Sequence, residues 1–462
     1  MTNIYSINPS NEHIIKEYES TSRSNITQSI QVAVDAWQSK GLYTLKQRKK
    51  WLTNLADILT DKKDYLAQLI AEENGKPLWE AITEVTGTIA KITTTIKALE
   101  QRIQPVTIES PDKTFNLNYK PVGVIAVIGP FNFPFYLPMG QIIPALLTGN
   151  SIVFKPSEYT IGVGIAMMDC LHQANIPKQL VQLIIGDKTA GNHIVENANI
   201  NGILFTGSYK TAQHISAAIA DQPQKLLAIE CGGNNPLILE SFADSKTLIE
   251  CLTKSAFLTS GQRCTCTRRL IMIKSRQNQA IIDQFASHVG GLKLGGYLDQ
   301  PEPFYGPLIS KEAAENVVKT YQGLLDKGAK AILKPTLKKP GFFVSAGIVD
   351  TTDCYEWIPD EECFGPLLQV IQVNNLNQAI DVANQTKYGL SASIITQKKS
   401  SFEQVRQTVN AGLINWNHPT NGSSSLLPFG GVGCSGNFRP VGYWTIDQCV
   451  YPVASVENNH NI

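Results

Sequence analysis

VGVIAVIGPFNFP, residues 122–134, decides the fold. It opens as a nearly unbroken apolar run, and Gly129-Pro130 closes it. A short apolar run bounded by a turn reads as a strand buried on both faces, the kind found in parallel sheets. The design recurs downstream in SIVFKPSE (151–158), LVQLIIG (180–186), GILFTGS (202–208) and LLAIECGG (226–233). Between these runs lie the helical stretches LPMGQIIPALLTG, VGIAMMDCLHQAN, KTAGNHIVENA and YKTAQHISAAIA. Strand, helix, strand at this rhythm predicts a parallel sheet with right-handed crossovers. Each run ends in a loop with Gly, Pro, Ser or Asn, and such sheets bind ligands beyond the carboxyl ends of their strands.

Working outward, residues 1–27 form a polar lead-in with short extended pieces. From about 28 to 103 the pattern is helical: Trp51, Leu55, Ile58 and Leu59 recur at helical spacing. The NGKP stretch at 74–77 predicts a break, with a new helix from near Leu78. Beyond 230, SAFLTSGQRC, RLIMIK, FGPLLQVIQV, LSASIIT and AGLINWN outline a second α/β unit reaching about 429. The tail YWTIDQCVYPVASVE is β-prone and suited to pairing with another chain.

Bulk properties narrow the class. A chain of 462 residues exceeds one ordinary domain. Net charge is +1 with no basic stripe, which argues against nucleic acid as a partner. No apolar run reaches the roughly 18 residues a membrane helix needs, and the first residues carry no apolar signal core. Nine dispersed cysteines fit a reducing, cytoplasmic setting. Neither a CxxC pair nor HExxH occurs, so no metal is expected, and the seven histidines, from His13 to His460, are scattered. GVGCSG (431–436) matches GxGxxG but lacks the strand before it and the acidic residue after it, so it reads as a loop. There is no Walker A motif and no GxSxG.

Several residues could carry chemistry. Cys264, in SGQRCTCTRR (260–269), is a candidate nucleophile or a small buried hydrophobe. Glu230 closes an apolar strand before two glycines, as a general base or as a structural carboxylate. Asn132, between Phe131 and Phe133, could stabilise an oxyanion or merely shape a turn. Lys155 and Glu158 could hold ribose hydroxyls, and Gly207-Ser208 could approach a pyrophosphate at a helix N-terminus.

Taken in order, GPFNFP, FKPSE, FTGS, an acidic residue before Gly-Gly, GQxC and EExFGP-like DEECFGP resemble the aldehyde dehydrogenase superfamily over nearly the whole chain. The resemblance implies an α/β fold with a Rossmann-type NAD-binding domain at 1–229, which carries oligomerisation strands at about 104–120. An α/β catalytic domain would follow at 230–429, then a return segment and oligomerisation strand at 430–462. It implies Cys264 as nucleophile, Glu230 as base, and Asn132 with the Cys264 N–H as oxyanion donors. Cys266 becomes a packing neighbour. Lys155, Glu158, Gly186, Gly207, Ser208, Glu362 and Phe364 fall on NAD-binding positions. The expected cofactor is NAD, because Glu158 would repel a 2′-phosphate. The presence of Glu230 favours hydrolysis over transfer to CoA. A homodimer or homotetramer is implied. As a departure from relatives, the chain is expected to lack their N-terminal β-hairpin and C-terminal extension.

AIECGGNNP, SGQRCTCTRRL, INWNHP and PFGGVGCSGN look like the N-succinylglutamate 5-semialdehyde dehydrogenase branch, which serves arginine catabolism. Its substrate carries two carboxylates besides the aldehyde, so Arg263 and Arg439 become candidate anion partners, with Arg268 and Arg269 supporting the loop. The chain departs from that branch at Phe135, Tyr136, Met139 and Phe438, the first two being candidates for the substrate tunnel. Another anionic semialdehyde, succinic or glutamic, is the alternative substrate. A non-catalytic NAD-binding member is the rival of a different kind, although such proteins usually lack the Cys or the Glu present here.

Overall fold

The computed structural model describes residues 3–39 and 43–459; His460 lies outside the described residues. All five predicted strands form one parallel sheet. Its order is Val181–Leu183, Ser151–Lys155, Val124–Ile128, Gly202–Gly207, Leu226–Cys231. The apolar runs are continuous because both faces are covered. Ile125 and Val127 point into one core, with Phe154, Leu204 and the helices Leu45–Asp61, Leu78–Arg102 and Tyr136–Thr148. Val124 and Ala126 point into the other, against the helices Arg23–Gln38, Lys188–Glu196 and Tyr209–Ala218. The period of two thus delivers alternate residues of one strand to two different cores.

The second sheet has seven strands. Its order is Lys330–Leu333, Gly347–Asp350, Leu367–Val373, Thr267–Ile273, Asn235–Leu239, Ser391–Ile395, Leu413–Trp416. All pairs are parallel except the antiparallel edge strand Lys330–Leu333. Asn235–Leu239 begins four residues after Leu226–Cys231 ends, so the chain steps from one sheet to the other across residues 232–234. That step puts the carboxyl end of a strand of the first sheet beside the amino end of one in the second.

A third layer is a three-stranded antiparallel sheet. Val450–Asn458 pairs with Lys113–Pro121, which pairs in turn with Val106–Glu109. The β-prone tail therefore finds its partner within its own chain, and Ile108, Phe115, Tyr451 and Val456 remain exposed on this sheet. At the other end of the chain, Asn3–Ile7 and Ile14–Glu19 form an antiparallel hairpin. This corrects the expectation that the hairpin would be missing. Within its two strands only Ser6 and Tyr18 are buried, so an apolar pattern scarcely marks it. Among the described residues no helix is long and apolar enough to cross a membrane, and no cluster of His, Cys, Asp and Glu could hold a metal.

Leu204 is wholly buried in the strand beside the central one. Leu204→Ala should cost about 2–5 kcal/mol, read as a lower urea midpoint with an unchanged slope.

Candidate active site

The sequence around Cys264 is held in an unusual turn. After the helix Ser245–Phe257, residues Thr259, Ser260 and Gly261 all take left-handed backbone angles, with φ of 54°, 56° and 72°. Such angles are costly for residues with a Cβ and persist where the surroundings enforce them. Here the Ser260 hydroxyl donates to the Gly306 carbonyl at 2.6 Å, and Thr259 donates to the buried Glu80 carboxylate. At 261 only glycine fits, because a Cβ would stand 2.2 Å from the Gly365 carbonyl oxygen.

The two cysteines of the stretch then part. Cys266 has no accessible surface, and its thiol reaches the Leu258 carbonyl at 3.7 Å. Cys264 keeps accessible surface at the cleft. Asn235 fixes both, donating through Nδ2 to the Cys264 carbonyl at 2.7 Å and to the Cys266 carbonyl at 2.9 Å.

The arginines mostly tie down backbone. Arg268, fully buried, donates to the carbonyls of Gly365, Gly261 and Arg263 at 3.1, 2.7 and 3.1 Å. Arg269 does the same for Asn234, Val382 and Ala383. Both support the loop, as the sequence suggests. Arg263, a candidate anion partner, lies over the Phe133 ring, pairs with Glu80 and donates to Thr259 Oγ1 at 2.8 Å. Arg439 is exposed next to Phe438, which is 81% exposed at a φ of 63°.

Asn132 arrives from the first sheet. It is buried, and its Nδ2 donates to the Gln262 carbonyl at 2.9 Å, two residues before Cys264. One amide hydrogen is so used and the other is left. The loop behind it is anchored by Lys76, whose Nζ reaches the Asn132 carbonyl at 2.7 Å and the Glu84 carboxylate at 2.6 Å. The other Glu84 oxygen accepts the backbone N–H groups of Phe135 and Tyr136, at 2.9 and 3.0 Å. Phe135 and Met139 have no accessible surface and pack into the helical core, whereas Tyr136 is half-buried. Of the two proposed tunnel residues, only Tyr136 thus presents accessible surface.

Glu230 ends the strand Leu226–Cys231, buried, with its Oε2 accepting no hydrogen bond among the described residues. Burial drives its carboxyl well above the usual range. The glycine-rich segment comes close here: Gly436 bridges to Glu230, and a Cβ on Gly430 would stand 2.7 Å from Glu230 Oε1. Glu362 lies against Gly232, where a Cβ would overlap its carboxylate at 1.7 Å. Burial lifts Glu362 to about 7, opposed by Arg268 at 3.5 Å and the Gly233 N–H. The Cys264 thiol is pushed up to about 12, first by burial, then by Glu362 and Glu230, with Arg268 pulling the other way. Both carboxyls therefore lie within electrostatic reach of the thiol.

The remaining predicted positions line the carboxyl ends of the first sheet. Lys155 is buried, with Nζ 3.1 Å from the Pro156 carbonyl and 3.8 Å from the half-exposed Glu158. Burial lowers its pKa, while Glu158 and Asp187 raise it. Gly186 lets the chain press on the next helix, since a Cβ would stand 2.3 Å from that of Ala190. Gly207 ends its strand, and Ser208 caps the helix Tyr209–Ala218. Phe364 meets Phe131 edge-on at 5.9 Å, and Phe131 meets Tyr159 at the same distance. A buried amine, a neighbouring carboxylate, a helix N-terminus and an aromatic wall make a donor set that fits a dinucleotide. Glu80 and Glu84 carry no motif of their own, while Lys76 and Asn235 stand inside NGKP and AIECGGNNP without being singled out as site residues. Their one signal is charge or amide in otherwise apolar, buried surroundings.

Comparison with known proteins gives the same picture. The model of the aldehyde dehydrogenase family matches residues 1–453. N-succinylglutamate 5-semialdehyde dehydrogenase of Escherichia coli K12 is 39% identical over 453 residues, covering 98% of this chain and 92% of that protein. Among solved structures, glyceraldehyde-3-phosphate dehydrogenase GapN from Methanocaldococcus jannaschii, complexed with NADP, superposes with a TM-score of 0.92 at 28% identity, covering 99% of both chains. Lactaldehyde dehydrogenase from Escherichia coli gives 0.93 at 26%, covering 99% of this chain and 96% of that one.

Two outcomes follow from this geometry. Alkylation of Cys264 by iodoacetamide in the free protein, followed by peptide mass spectrometry, should be slow at pH 7. It should climb about tenfold per pH unit up to pH 9 without a plateau, because the thiolate is the reactive form. Gly261→Ala should shift the loop against the Gly365 carbonyl and remove most of the aldehyde-oxidising activity while leaving the fold's circular dichroism in place.

Proposed function

The chain belongs to the aldehyde dehydrogenase family, and on that premise we propose that it oxidises N-succinylglutamate 5-semialdehyde to N-succinylglutamate with NAD, as a step of arginine breakdown. The substrate follows the 39%-identical E. coli relative. The observation that carries the chemistry is Glu230, a buried carboxyl with a free oxygen, within electrostatic reach of a cysteine whose loop Asn132 also touches.

Cys264 Sγ attacks the aldehyde carbon, and its proton passes to a neighbouring carboxylate. The oxyanion lies between the unused Asn132 amide hydrogen and the Cys264 N–H. Bound NAD supplies the acceptor for the aldehyde's hydride. Lys155 and Glu158 would hold its adenosine ribose, Gly186, Gly207 and Ser208 would flank its phosphates, and Glu362 and Phe364 would set the nicotinamide end. The GapN complex held NADP; here the Glu158 carboxylate favours NAD over a 2′-phosphate. The acyl group stays on Cys264 as a thioester until Glu230 takes a proton from the attacking water. A carboxyl whose pKa is lifted by burial is a better base for that step.

The same reading divides the chain into an NAD-binding domain at 1–229, a catalytic domain at 230–429 and a return segment from 430. It makes the exposed apolar residues of the third sheet, Ile108 and Val456 among them, the contact of a homodimer or homotetramer. Nine free cysteines support a cytoplasmic setting.

The test is NADH formation from N-succinylglutamate 5-semialdehyde beside succinic and glutamic semialdehydes. The succinylated substrate should give the highest kcat/KM, and Cys264→Ser should show none of this activity. Glu230→Gln should retain a first-turnover burst of NADH while its steady-state rate falls about 10²–10⁴-fold. A preference for another semialdehyde would keep the mechanism and discard the pathway.

A further inference from the structure

The helix Leu78–Arg102 presents Glu84, Gly87 and Lys91 on one face, three and four residues apart. This face runs along the helix Tyr136–Thr148, which begins four residues after Asn132. The contacts step outward in order. Glu84 accepts the N–H groups of Phe135 and Tyr136. A Cβ on Gly87 would meet the Tyr136 ring at 3.4 Å, and a Cβ on Gly140 would meet Lys91 Cε at 3.7 Å. Lys91 is only 3% exposed, yet its Nζ makes no hydrogen bond or ion pair among the described residues. Burial alone holds its pKa down to about 8. Glu84, the acidic group on the same face, is already committed to Lys76 and two backbone amides. The Tyr136 hydroxyl likewise has no hydrogen-bond partner among the described residues.

Buried charges are ordinarily paired. A lysine enclosed between two helices, with no anion of its own and an unpartnered phenol one turn back, is a half-made anion site. We infer that Lys91, with Tyr136 beside it, anchors a carboxylate on the tail of the substrate. The inference rests on the reading that the aldehyde is anionic, and it assigns that anion to a residue outside the arginine-rich loop. Lys91 lies seven residues beyond Glu84, which is about 10 Å along the helix. That reach suits a carboxylate borne several bonds from the aldehyde carbon.

The test compares Lys91→Met and Lys91→Arg with the wild type on N-succinylglutamate 5-semialdehyde, succinic semialdehyde and the uncharged hexanal. Lys91→Met should raise KM for the succinylated substrate about tenfold to a hundredfold, leave its kcat little changed and leave hexanal unaffected, with Lys91→Arg recovering part of the loss. An equal effect on hexanal, loss of hexanal activity, or no effect on the anionic substrates overturns the assignment. The two readings also separate. If the wild type does not prefer the succinylated substrate but Lys91→Met selectively weakens succinic semialdehyde, the anchor stands and the named substrate falls. If the preference is present and Lys91→Met leaves it intact, the anchor falls alone.

Discussion

Two ion pairs buried beneath the cleft hold together loops that no sheet joins. Lys76 and Glu84 pair at 2.6 Å with neither side chain exposed, and Arg263 pairs with Glu80, which is itself wholly enclosed. Glu80 and Glu84 stand one turn apart at the start of a single helix. One holds the Cys264 turn through Arg263 and Thr259; the other holds the Asn132 loop through Lys76 and two backbone amides. The Phe133 ring lies between the two cations, 4.1 Å from Lys76 Nζ and 5.0 Å from the Arg263 guanidinium. Such pairs add little to stability against an apolar substitute, but removing one partner strands a buried charge at a cost of about 3–5 kcal/mol. Their consequence here is registry: the Asn132 amide and the Cys264 turn are set against one another by charge.

The same enclosure governs the protons. Cys264, Glu230 and Glu362 are all raised by burial, and the two carboxylates raise the thiol further. Arg268 is the nearby counterweight, but most of its donors are spent on carbonyls. The resting site therefore keeps its thiol protonated and its carboxyls raised. Gly232, Gly430 and Gly436 permit this crowding, since side chains at the first two would occupy the space of Glu362 and Glu230.

What the sequence made legible follows the length of each signal. Five buried strands of the first sheet announce themselves because a parallel strand covered on both faces is apolar throughout. Asn235–Leu239 is not legible although it is equally buried, because only three residues separate it from another strand and it reads as that strand's loop. Gly347–Asp350, at four residues, is too short to show a period. The N-terminal hairpin was missed because water covers most of it. At the site, the motif residues Cys264, Glu230 and Asn132 are legible as candidates; Asn132 reaches the Cys264 loop and Glu230 lies within electrostatic reach of the thiol. The partners that hold them are not legible, for a charged residue in a helix reads as a solvated face until its burial is known.

The cations make this point most sharply. Arginines gathered around a cysteine invite an electrostatic reading, yet Arg268 and Arg269 serve as hydrogen-bond frames. A planar guanidinium offers five donors and suits the knitting of several carbonyls at once. Their charge is muted by the dipoles they bind. A site that must stand empty between turnovers has a different requirement. An unpaired buried guanidinium cannot shed its proton, whereas an amine can, so the vacant state costs less with lysine than with arginine. Lys91 meets that requirement better than an arginine would: it is buried, unpaired among the described residues and lowered by burial to about 8, so its proton is the more easily shed. Reversible binding of a charged tail is thus better served by the lone lysine on the helix than by the three arginines beside the cysteine.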